Sequence, residues 1–258
     1  MNRLQATFAE RRNRKLLNIY FTAGYPTLDS TLPILKMLQN AGADMVEIGI
    51  PFSDPVADGP VIQQSNQKAI ENGMNLKLLF ETLKTIREEI EIPLLLMGYL
   101  NPVIQFGMEH FLEKCKEVGV DGLILPDLPI KEYQKHYKSL YIQYGILPVF
   151  LATPETSEER LRQIDAESTG FVYILSATAI TGQFDKTMQQ SDDALERLHL
   201  FPFTKERMTG FGIRDNQSFE KSTRHTSGGI IGTAFIKLLE HGIPDEAIIK
   251  QFVQSIKS

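Results

Sequence analysis

The sequence predicts an α/β fold: a (β/α)8 TIM barrel in a single domain over residues 1–258, with an extra N-terminal helix and extra helices in its βα connections. Three observations point there. Eight short apolar runs alternate with amphipathic segments along the chain. Several of the runs are apolar throughout, as parallel strands covered on both faces are. No Gly/Ser/Pro-rich linker divides the 258 residues, a length that one barrel commonly occupies.

The strands are expected at LLNIYFTA (16–23), MVEIGI (45–50), PLLLMGY (93–99), GLILPD (122–127), LPVFLA (147–152), FVYILS (171–176), RMTGFGI (207–213) and GGIIGTAF (228–235). A short helix at 2–12 precedes them. The segment 31–43 places Leu32, Leu35, Leu38 and Ala41 on one helical face. The second connection holds two helices, 60–72 and 76–90. A helix from about Met108 to Val118 stops at Gly119, a C′ glycine. AGAD (41–44) and VGVD (118–121) repeat one design of helix end, glycine, small residue, Asp and next strand. A doubly wound open sheet is the main competitor. It would carry a Gly-rich fingerprint after its first strand, and FTAGYPT is not GxGxxG.

Composition is that of a soluble globular chain, 42% hydrophobic and 23% charged. A net charge of −5 gives no basic patch for nucleic acid or an anionic membrane. The start of the chain lacks an apolar core of signal-peptide length, and no segment reaches the roughly 18–20 apolar residues of a membrane span. The single cysteine, Cys115, cannot staple the chain. The expected location is the cytoplasm. His110, His136, His199, His225 and His241 show no HxxH or HxxxH spacing, so no metal site is expected.

The most informative stretch is EIGIPFSDPVADGP (47–60). Glu47 interrupts an apolar strand and shares parity with Met45 and Gly49. A buried glutamate there is either a structural hydrogen-bonding group or a general acid/base tuned by an apolar pocket. Its place near the C-terminal end of a barrel strand favours the second. Asp58, followed by Gly and Pro at a helix start, reads by itself as an N-cap. Asp54 fits an Asx turn. Pro51, Pro55 and Pro60 stiffen the loop that carries both aspartates.

Late in the chain, TGFGIRDN (209–216) and GGIIGTAFIKLLEHG (228–242) each end a strand and open a helix. Barrels often bind phosphate on the loops after strands 7 and 8. Gly212, Gly232 and the Thr233 hydroxyl are therefore phosphate candidates, against the plainer reading of tight βα turns. Gly182 lies in a polar stretch, 177–192, that reads as an active-site lid or a surface loop.

FTAGYP, VEIGIPFSDPVADGP, YLNPVIQFG, DGLILPDLP, FVYILS…TG, GFGI and IIGTA together resemble the tryptophan synthase α-chain family, in order and over nearly the whole chain. The resemblance implies a carbon–carbon lyase. Its reaction is a retro-aldol cleavage of indole-3-glycerol phosphate to indole and glyceraldehyde 3-phosphate, with no metal or cofactor of its own. It also implies a pyridoxal-phosphate β chain as partner in an α2β2 heterotetramer, which takes the indole on to tryptophan. By motif, Glu47 takes the acid/base role and Asp58 that of a second catalytic carboxylate. Tyr173 falls at the substrate, with Tyr20, Thr22, Ile62 and Tyr99 near the indole pocket. Gly182, Gly212, Gly232 and Thr233 fall on phosphate positions, and Thr181 on the lid residue that closes onto Asp58. The chain departs from the family pattern at Ala179, where Gly is usual, and at Thr233, where Ser is usual. It also departs in the more polar KSTRHTSGG and across 183–206. A stand-alone indole-releasing lyase and a non-enzymatic barrel that activates a partner are the alternatives. Retention of Glu47, Asp58 and the glycines argues against the second.

Overall fold

The computed structural model describes residues 2–175, 196–210 and 212–257. Eight parallel strands close into a barrel in sequence order. They are β1 (Leu16–Thr22), β2 (Met45–Gly49), β3 (Leu94–Met97), β4 (Gly122–Ile124), β5 (Leu147–Ala152), β6 (Val172–Leu175), β7 (Arg207–Gly210) and β8 (Gly228–Ile231). Ring closure pairs Leu16–Ile19 of β1 with Gly228–Ile231 of β8. All seven residues of β1 and all five of β2 are buried, which is why those strands carry no polar–apolar alternation.

The barrel has two apolar layers. Leu16, Met45, Leu95, Ile124, Val149, Met208 and Ile230 fill the interior, and Leu4 and Phe8 of helix Arg3–Glu10 close its N-terminal end. Asn2 fixes that plug: its Oδ1 accepts from the amide of Leu4 at 2.9 Å, and its Nδ2 donates to the carbonyl of Asp121 at 3.0 Å. Outward residues such as Ile19, Phe21, Val46, Ile48, Leu94 and Leu96 pack in the layer beneath the helices. Cys115 belongs to this outer layer and is fully buried, which pushes its thiol pKa up.

The AGAD and VGVD repeats are one structural device used twice. Gly42 and Gly119 both have positive φ, at 92° and 76°. After each, a buried aspartate receives a backbone amide from the neighbouring strand: Asp44 from Leu17 at 2.8 Å and Asp121 from Leu94 at 3.0 Å. Cations complete both sites. Arg14 and Lys257 pair with Asp44, and Arg3 and Arg87 pair with Asp121. Removing one member of a buried charged cluster strands the other charges. Asp121→Ala is therefore expected to lower unfolding stability by about 3 kcal/mol. Denaturant titration measures this; a loss below about 0.5 kcal/mol would show that Arg87 finds other partners.

The structure moves several expected boundaries. The eighth apolar run does not stay extended to residue 235. The chain turns at Gly232 and forms helix Thr233–Leu238, since a short apolar run fits a buried helix as well as a strand. β4 ends at Ile124, and the Asp127 carboxylate beyond it accepts the amide of Leu100, which opens helix Leu100–Phe106. Residues 76–90 split into helix Leu76–Leu83 and a 3-10 turn at Ile86–Glu88. In helix Thr31–Ala41 the buried face is Thr31, Ile34, Leu35 and Leu38, while Leu32 and Ala41 are only half-buried.

Candidate active site

Glu47 is the third residue of β2 and points into the barrel, in register with Tyr20 of β1 and Leu95 of β3. It is fully buried. Its Oε1 accepts a hydrogen bond from Asn18 Nδ2 at 2.6 Å. Its Oε2 has no hydrogen-bond partner among the described residues. Burial pushes its pKa up to about 8, partly opposed by the Asn18 hydrogen bond. The group is therefore mostly protonated at neutral pH.

Asp58 follows β2 on the proline-rich loop. Contrary to the cap expectation, Asp58 does not cap the helix that follows it. Gly59 is the N-cap of helix Pro60–Glu71, and no side chain caps it. The Asp58 carboxylate instead accepts from the Tyr99 hydroxyl at 2.9 Å. That hydroxyl in turn accepts the Ala57 amide at 3.0 Å, so Tyr99 ties the loop to the end of β3. Burial raises the Asp58 pKa to about 6 and the Tyr99 bond lowers it. At pH 7 Asp58 is mostly ionised while Glu47 is mostly neutral. Two carboxyls in one site are thus held in opposite protonation states.

Both line one cavity of about 410 Å³ at the C-terminal mouth of the barrel. Tyr20, Ile62, Met97, Tyr173, Ile213 and Ile230 supply its apolar wall. Two glycines make room for the phenols. A Cβ on Gly49 would lie 2.2 Å from the Tyr20 hydroxyl, and one on Gly210 would lie 2.2 Å from that of Tyr173. Gly212, Gly232, Thr233 and two cationic side chains, Arg214 and Lys237, line the same cavity. An apolar pocket lined also by two carboxyls, glycines, a hydroxyl and cations suits a flat apolar group joined to an anion.

The sequence matches the family described as Tryptophan synthase alpha chain over residues 7–257. The chain belongs to that family. The tryptophan synthase alpha chain of Flavobacterium psychrophilum is 46% identical over 257 residues, covering 99% of this chain and 100% of the relative. That of Bacteroides thetaiotaomicron is 47% identical over 251 residues, covering 97% and 98%. The crystal structure of tryptophan synthase subunit alpha from Legionella pneumophila superposes with a TM-score of 0.88 at 29% identity, covering 100% of this chain and 97% of that one.

The residues drawn from the family resemblance occupy two shells in the structure. Glu47, Asp58, Tyr20, Ile62, Tyr173, Gly212, Gly232 and Thr233 line the cavity. Thr22 and Tyr99 support its walls. The Thr22 hydroxyl lies 2.6 Å from that of Ser65, and Ser65 donates to the carbonyl of Ile62, so β1 is tied to helix Pro60–Glu71. Thr181, Gly182 and Ala179 lie outside the described residues. Sequence reasoning passed over Asn18, Arg214 and Lys237. The signals were present: a polar residue inside LLNIYFT, an Arg two residues after Gly212, and a Lys one helical turn after Thr233.

Proposed function

We propose that Glu47 is the acid/base and Asp58 the charge-stabilising carboxylate of the family's lyase reaction. As a tryptophan synthase alpha chain, the protein cleaves indole-3-glycerol phosphate to indole and glyceraldehyde 3-phosphate in tryptophan biosynthesis. The chain carries no cofactor of its own; pyridoxal phosphate belongs to the β chain. The observation that carries the residue assignment is the pairing of a neutral, buried Glu47 with an ionised Asp58 in one cavity.

The chemistry follows from those states. Glu47 gives its proton to indole C3, and positive charge spreads to the ring nitrogen. The Asp58 carboxylate stabilises that charge at the N–H. The bond from C3 to the glycerol chain then breaks, its electrons restoring the indole ring. The hydroxyl on the cleaved carbon loses its proton to the Glu47 carboxylate and becomes the aldehyde. Glu47 ends protonated, as it began.

Gly212, Gly232 and Thr233 are proposed to hold the phosphate, with Gly182 a fourth phosphate residue by family resemblance and Thr181, by the same resemblance, the lid residue at Asp58. Arg214 and Lys237, which line the same cavity, add positive charge. Lys237→Met is expected to raise KM for indole-3-glycerol phosphate about fivefold at low ionic strength and less at high salt, with kcat within about twofold. Steady-state kinetics at two salt concentrations measures this, and a salt-independent KM equal to that of the wild type would exclude an electrostatic role.

The family is the alpha subunit of tryptophan synthase, which implies a β-chain partner. An α2β2 heterotetramer and a cytoplasmic location are part of the proposal. No helix among the described residues is long and apolar enough to cross a membrane. The test is indole release from indole-3-glycerol phosphate with and without a β-type chain. Strong stimulation by the partner supports the subunit reading. High turnover alone favours a stand-alone lyase, and no cleavage under either condition contradicts both.

A further inference from the structure

We propose that Asn18 is a positioning residue for Glu47: it pins Oε1 and confines the transferable proton to Oε2, so that one carboxyl oxygen performs both proton transfers. The geometry is direct. Asn18 lies on β1 in register with Met45 and Ile230, one inward position below Tyr20. It is fully buried, and its Nδ2 lies 2.6 Å from Glu47 Oε1. In a neutral carboxyl the carbonyl oxygen is the better acceptor, so a donor fixed on Oε1 favours the proton on Oε2. Oε2 has no hydrogen-bond partner among the described residues, which leaves it available to the occupant of the cavity.

The packing gives a second line of support. Asn18 sits among Leu16, Met45 and Ile230, where leucine would fill the barrel interior. Its Oδ1 is also buried without a hydrogen-bond partner among the described residues. A buried polar group with an unmet acceptor costs stability. The return on that cost is the hydrogen bond to Glu47.

Other titratable groups that line the same cavity are Tyr20 on β1, Tyr173 on β6 and Asp58 on the loop. Both phenols are driven up by burial and stay neutral. Arg214 and Lys237 line the same cavity. Asn18 is the side-chain donor on Glu47, and its bond favours the ionised carboxylate.

This inference rests on Glu47 as the acid/base, and the test separates the two. Asn18→Leu, close in shape but without a donor, and Asn18→Ala are made in the full chain. The carbon-13 signal of the Glu47 carboxyl is titrated, and kcat, KM and the thermal midpoint are measured. We expect the Glu47 titration to move up by about half a pH unit or more. We expect kcat to fall about tenfold with KM within about twofold, and Asn18→Leu to melt no lower than wild type. A titration that stays in place or moves down overturns the proposal; a downward move would mean that Asn18 had been accepting the Glu47 proton. Unchanged kcat, or unfolding of both variants, overturns it too. The titration requires no turnover, so it reads the Asn18–Glu47 coupling even if the catalytic assignment of Glu47 is wrong.

Discussion

Glu47→Gln is expected to lower kcat for indole release by about 10³-fold while leaving KM nearly unchanged. Glutamine keeps the shape of the side chain and can still accept from Asn18 through its amide oxygen. It cannot give a proton to indole C3 or take one from the hydroxyl. The rest of the cavity stays in place: the tyrosines, Ile62, the glycines and the cations. Inorganic phosphate should therefore compete with substrate as well in the variant as in the wild type. Steady-state indole release with phosphate as inhibitor measures both quantities. Activity within a few-fold of wild type would remove Glu47 from the chemistry.

The second large effect belongs to Asp58→Asn. The variant loses the charge that faces the developing indoleninium, and kcat should fall about 10²-fold or more. The fold should hardly notice. Asn still accepts from the Tyr99 hydroxyl, and the N-cap of the following helix is Gly59. Unfolding stability is expected to change by less than about 1 kcal/mol. Kinetics together with denaturant titration distinguishes the alternatives. A variant of near-normal kcat and lowered stability would return Asp58 to a purely structural role.

These two residues also show what the sequence made legible. The barrel was readable because parallel strands buried on both faces appear as unbroken apolar runs, and β1 and β2 are buried at every position. Glu47 was readable because it breaks such a run. Asn18 breaks the next-door run in the same way, but an amide in a strand carries no charge to draw attention. Asp58 by itself reads as a cap because Asp-Gly-Pro is a local helix-start pattern. Its actual partner, Tyr99, is 41 residues away, and only closure of β2 against β3 brings them together. The family motif, rather than local propensity, pointed to the catalytic role proposed for it. Arg214 and Lys237 read locally as ordinary surface cations. The neighbouring ends of β7 and β8 bring them to one cavity.

The opposite protonation states of the two carboxyls set the pH dependence of kcat/KM for indole release. The active state needs Asp58 ionised and Glu47 protonated. Activity should rise with pH as Asp58 loses its proton near pH 6 and fall as Glu47 loses its own near pH 8. In Asp58→Asn the acidic limb should vanish while the alkaline limb remains. The result predicted is a bell with limbs near those two values. A profile that keeps rising through pH 8, or stays flat between them and beyond, would contradict the assignment of the acid to Glu47.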